Sequence, residues 1–169
     1  MSKQSERAAL LEATATAAAE FGAAAAQVDA AASAILGVNR TDLRILGSLY
    51  GRKRLTAGEA AAAAGLSAAA TSTAIQRLLA AGYVSRDPDP QDRRRAVLAL
   101  TPPAHRILQR IYDPIGAAGR AALDTYTDAE LSLVERFLTR GRELQLSHAE
   151  RIHSLSTAMS TEAADRGTL

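Results

Sequence analysis

Cysteine is absent from the 169 residues, which excludes a disulfide framework and any cysteine-based redox switch. Tryptophan is absent too, and aromatics amount to only 4%. Large core anchors are therefore few. Hydrophobic residues reach 47%, but much of that share is alanine, and burial free energy scales with the area removed from water. Faces this thin gain from extra burial between subunits, so a homodimer is expected. Histidines number three, and His148 and His153 lie five apart, which is not the i,i+4 spacing of a metal pair. Without cysteine or a carboxylate–histidine cluster, no metal site is expected. There is no nucleophile elbow, phosphate-cradling glycine loop or dinucleotide fingerprint. No catalytic residue, no cofactor and no enzymatic activity are expected. The alanine-rich stretch from Ala13 to Ala34 is interrupted by Glu20, Gln27 and Asp29, so it reads as neither a signal segment nor a membrane span. A cytoplasmic protein with no membrane partner is the expectation.

The charge that is present is unevenly placed. The whole chain carries +2, yet Asn39 to Thr101 holds ten basic against five acidic residues, net +5, and the remainder is −3. A basic middle between acidic flanks suggests a polyanion-binding module, although a solvated surface of uneven charge would look the same.

Helical periodicity runs from Ser5 to Leu36 and is closed by Gly37. Asn39 or Thr41 can cap a second helix bearing Leu43, Leu46, Leu49 and Tyr50, ending near Gly51. Thr56-Ala57-Gly58-Glu59 spells a capping box for a short helix to Ala64. Gly65-Leu66-Ser67 is a turn, and Ser67 can cap a helix from Ala68 to about Ala81. The period then changes: Tyr83–Arg86 and Ala96–Leu100 read as strands, joined by a loop rich in proline and aspartate. Thr101-Pro102 restarts a helix, which Pro114 should kink or split. Thr127 to Glu130 is a second capping box, opening a long helix past Leu144.

A short helix, a glycine turn and a second helix make a helix-turn-helix, whose second helix enters the major groove by its N-terminal residues. Ser67, Ala68, Thr71, Ser72, Thr73, Gln76 and Arg77 are the candidates there: hydroxyls and an amide can bond bases or phosphates, and alanine can pack on thymine methyls. The hairpin that follows carries Arg86, Asp92, Arg93, Arg94 and Arg95. Arginine on a thin loop suits the narrow, electronegative minor groove. The expected fold is mainly α with a small β-hairpin wing. N- and C-terminal dimerisation helices flank a winged helix-turn-helix, with boundaries at residues 1–38, 39–101 and 102–169.

Leu55-Thr56, Gly65-Leu66-Ser67, Arg77-Leu78, Gly82-Tyr83-Val84, Arg86, Asp92-Arg93-Arg94 and Leu98-Ala99-Leu100-Thr101 together resemble the winged-helix signature of the MarR family. The resemblance covers about Asn39 to Ala104. It implies an obligate homodimer that controls transcription, usually as a repressor, on a pseudo-palindromic double-stranded DNA operator. It also implies release by a small aromatic or phenolic effector. The cleft for that effector would lie around Tyr50, Ile111, Tyr112 and Ile115, positions that could equally be plain core. Arg94 would be the wing arginine and Asp92 its brace. The chain departs from the family at Ala60 and Ala64, where large aliphatics are usual, at Gln76, where an aspartate often pairs with the wing, and at Ala104, where glycine is usual. Two other readings compete: a winged-helix protein-interaction module whose arginines bind an acidic partner, and a helical small-molecule binder with a vestigial winged helix. Arg86, the wing arginines and the Ser/Thr helix start favour DNA.

Overall fold

The computed structural model describes residues 3–89 and 95–166. Along the chain come α1 (Lys3–Leu36), α2 (Arg40–Arg52), β1 (Arg54–Leu55), α3 (Ala57–Ala64), α4 (Ala68–Ala80), β2 (Val84–Pro88), β3 (Ala96–Leu100), α5 (Pro102–Leu123) and α6 (Asp128–Arg166). They form two compact units, Met1–Pro114 and Ile115–Leu169. Among the described residues no single helix is long and apolar enough to cross a membrane.

The helix ends follow from the residues that sit at them. The Asn39 side chain accepts the Asp42 amide at 2.9 Å and starts α2. At α3 both halves of the capping box are made: Thr56 Oγ1 accepts the Glu59 amide at 3.3 Å, and the Glu59 carboxylate accepts the Thr56 amide at 2.7 Å. The same reciprocal pair opens α6 at Thr127 and Glu130. Gly65 ends α3 at φ 61, where a side chain would be strained and would also meet the Arg44 guanidinium at 3.2 Å. Thr101 fastens α5 to the strand side, donating its hydroxyl to the Gly82 carbonyl at 2.8 Å.

Three strands, not two, make the sheet, in the antiparallel order β1-β3-β2. β1 is only a two-residue strand, defined by pairing Arg54 with Ala99 and Leu55 with Leu98. β2 starts one residue later than the side-chain pattern suggests and continues to Pro88, opposite Ala96. Proline is tolerated there because β2 lies at the sheet edge. Tyr83 stays outside the strand and donates its hydroxyl to the Leu36 carbonyl at 2.6 Å. α5 continues through Pro114 as one helix, so the expected split does not occur, although the two compact units divide directly after that residue.

The core of the first unit centres on α2. Ile45, Leu46 and Leu49 are fully buried with Leu78 of α4, Leu98 of β3 and Leu108 of α5. Ala60, Ala64 and Ala74 are also at 0% exposure. Ala60 and Ala64 make the buried face of α3 from small side chains. The last turn of α1 joins the same core through Ala32 and Leu36. Most of α1 and α6 is different: Leu10, Leu11 and Phe21 are 60% to 71% exposed, and on α6 Leu133, Phe137, Leu138 and Leu144 are exposed as well.

Candidate nucleic-acid interface

α4 is held at its start by Ser67, whose Oγ accepts the Ala70 amide at 3.2 Å. Ser67, Ala68, Ser72, Thr73 and Gln76 are exposed along one side of the helix. Thr71 is not among them. It is 2% exposed and donates its hydroxyl to the Ser67 carbonyl at 2.9 Å. Thr71, Ala74, Ile75 and Leu78 follow i, i+3, i+4, i+7 spacing and are all buried, so the threonine belongs to the core stripe and the expectation that it faces a groove is corrected. Arg77 has a partner within the chain. Its Nε and Nη2 donate to the two carboxylate oxygens of Asp42 at 3.0 and 2.6 Å, a bidentate pair that ties α4 to α2. Asp42 is 4% exposed. Its partner was not foreseeable locally, since the two lie 35 residues apart. Asp42 holds the guanidinium above its ordinary pKa, first by the hydrogen bonds and then by its charge.

The exposed side of α4 borders a concavity of about 170 Å³, whose walls come from the start of α3 (Ala57 and Gly58), from Ser72 and Gln76, and from Arg86 and Ala96 of the hairpin. Arg86 is exposed on β2 opposite Leu98. Arg95 is exposed where β3 begins, and its carbonyl accepts the Asp89 amide at 2.8 Å. Glu59 stands beside this rim. Its pKa is lowered, chiefly by the Thr56 amide and hydroxyl and further by the charges of Arg95 and Arg52. Asp92, Arg93 and Arg94 lie outside the described residues.

Tyr50 and Tyr112 meet at a separate cleft of about 480 Å³ in the same unit, with Asp29 of α1 and Arg40, Arg44 and Ser48 of α2. Their ring centroids are 6.2 Å apart, and Tyr50 also lies 5.5 Å from the His105 ring. Tyr50 donates its hydroxyl to Asp113, which raises the phenol's pKa. Burial, and then the Asp29 charge, raise that of Tyr112. Ile111 lines a different groove with Ile35, Ile107 and Arg110. Ile115 is 56% exposed and begins the second unit. Arg40 and Arg44 are the polar residues of this cleft that a sequence reading could have found, since 40, 43, 44 and 47 share one helical face. Among the described residues no group of three histidine, cysteine or carboxylate side chains could hold a metal ion.

A short helix, a glycine turn, a second helix with an exposed polar start, and an antiparallel hairpin carrying arginines define a winged helix-turn-helix, a class of DNA-binding protein. The MarR family model matches residues 36–95. The uncharacterized HTH-type transcriptional regulator YcgE of Bacillus subtilis (strain 168) is 31% identical over 122 residues, which is 72% of this chain and 79% of the relative. The chain belongs to the MarR family of transcriptional regulators. Among solved structures, NadR in complex with 4-hydroxyphenylacetate shares the fold with a TM-score of 0.57 and 18% identity, over 74% of this chain and 89% of that one. A MarR family regulator from Silicibacter pomeroyi DSS does so at 0.51 and 21%, over 78% and 82%.

Proposed function

We propose that the protein is a cytoplasmic, homodimeric repressor that binds a pseudo-palindromic operator through α4 and the wing and is released by a small aromatic or phenolic effector. The observation that carries the DNA reading is the joining of Ser72 and Gln76 of α4 with Arg86 of β2 around one concavity within the +5 segment, with Thr73 exposed on the same helix and Arg95 exposed where β3 begins. Neutral amides and hydroxyls discriminate base edges, whereas arginines attract phosphate and narrow minor grooves wherever these occur. Gln76 is then the residue most suited to base choice, and Arg94, with Arg86, Arg93 and Arg95, supplies the sequence-independent grip. Asp92 braces the wing. Arg77 serves α4 mainly by fixing it to α2. The effector reading rests on the second cleft. Arg40 and Arg44 suit a carboxylate and the two phenols suit a ring, and a fold neighbour is known with 4-hydroxyphenylacetate.

Binding titrations at several salt concentrations, on a preferred site and on scrambled DNA, test the assignment. Arg94→Ala is expected to weaken binding on both DNAs and to flatten the log–log salt dependence by about one unit for each arginine removed from the DNA. Gln76→Ala is expected to cost about 1–3 kcal/mol on the preferred site alone. Equal losses on both DNAs for Gln76→Ala, or an unchanged slope for Arg94→Ala, would show the roles to be wrongly divided.

A further inference from the structure

Three consecutive basic residues, Arg52, Lys53 and Arg54, span the end of α2, the turn after it and the start of β1, and all are exposed. Lys53 has φ 67 and ψ −45, and among the described residues it is the only non-glycine with positive φ. Glycine would hold that conformation without the steric penalty a Cβ brings. The amide is well used, donating to the Leu49 carbonyl at 2.8 Å and closing α2, but any residue other than proline offers that amide. What glycine would lack is the charge. Strained backbone kept at an exposed basic turn is the kind of feature that accompanies a binding role. Among the described residues, none of the three arms forms a salt bridge.

The turn adjoins the surface already described. β1 follows it directly and pairs with β3, Leu55 opposite Leu98, and Leu98 lines the concavity under α4 with Arg86. Arg52 and Arg95 are both close enough to act on the Glu59 carboxylate in the first turn of α3, and Ala57 and Gly58 of that same turn line the concavity too. Arg86 thus lines the concavity itself, while Arg52 and Arg95 act on Glu59, two residues along α3 from the Ala57 wall. We infer that the Arg52-Lys53-Arg54 turn is a second backbone clamp, gripping DNA phosphates beside the grip of the wing. This rests on the DNA-binding reading above. The turn offers point charges without an aromatic or aliphatic anchor, which suits evenly spaced phosphates better than a protein partner, whose binding would need a buried hot spot.

Lys53→Gly separates charge from fold, because glycine relaxes the backbone while removing the cation. The full-length protein and the variants Lys53→Gly and Lys53→Arg would be titrated with a mixed-sequence duplex at several salt concentrations, and their melting followed. The expected result for Lys53→Gly is a Tm equal to or above the parent's, several-fold weaker binding, and a salt slope flatter by about one unit for each lysine removed. Lys53→Arg should keep the parent slope. An unchanged affinity and slope for Lys53→Gly, with the parent still binding in a salt-dependent manner, would overturn the clamp and leave the DNA reading standing. The same unchanged DNA slope with weakened binding to polyglutamate would also overturn it, assigning the turn to an acidic polypeptide. A parent protein without salt-dependent DNA binding would remove the underlying reading itself.

Discussion

Replacing Leu10, Leu11 and Phe21 together by glutamate is expected to convert the homodimer proposed above to a monomer in sedimentation and to weaken operator binding by about a hundredfold or more. These side chains are 69%, 60% and 71% exposed on a helix of 34 residues. Leu10 and Phe21 lie three turns apart, and Val28 and Ile35 continue the stripe at intervals of two turns. Burying an aliphatic or aromatic side chain contributes roughly 1.5–3 kcal/mol. Two-fold symmetry uses each residue twice, and carboxylates in their place would be buried at a cost. The loss in DNA binding follows because a dimer places its second winged helix at high effective concentration once the first has bound, and a monomer forfeits this. Substitution tests the idea more cleanly than deleting α1, whose last turn supplies Ala32 and Leu36 to the winged-helix core. Retained helicity by circular dichroism with a monomeric sedimentation coefficient is the expected pair of observations. A dimer of undiminished affinity would place the interface elsewhere.

The second large effect is expected at the α2–α4 pair. Arg77→Met leaves the Asp42 carboxylate, 4% exposed, without its counter-charge, and because the Arg77 side chain is itself 45% exposed the loss is smaller than for a fully buried pair, a fall in Tm of roughly 5 °C. Removing both partners, as Asp42→Leu with Arg77→Met, should recover much of the loss, since no uncompensated charge then stays buried. The same variants decide what Arg77 does on DNA. If its work is to position α4, the double variant should keep the parent's salt slope. A slope flattened by about one unit per protomer in a stably folded double variant would make Arg77 a phosphate ligand after all.

Most helix boundaries were legible because their signals are local. Thr56 with Glu59, Thr127 with Glu130, Asn39, Ser67 and Gly65 all occupy the caps that their side chains or backbone freedom suit. β1 was not legible, since two residues carry no periodicity and become a strand only by pairing with β3. The continuation of β2 to Pro88 was hidden by proline's reputation as a breaker, which an edge position cancels.

Within the candidate interface, the exposed Ser72, Thr73 and Gln76 follow from the helix-turn-helix pattern. Thr71 was misread for a reason the sequence could have corrected: its place on the Ala74–Ile75–Leu78 stripe outweighs its hydroxyl, which the helix backbone satisfies. The Asp42–Arg77 pair and the meeting of Asp29 with Arg40 and Arg44 are tertiary facts that no local pattern carries.

The central claim, that two symmetric winged helices read DNA through α4, is tested most directly by selecting bound sites from a random duplex library with the purified protein and footprinting the winner. The account predicts a pseudo-palindrome with half-site centres about 10 bp apart, protected on both halves. Enrichment of a single asymmetric half-site, or no enrichment over the starting library, would contradict it.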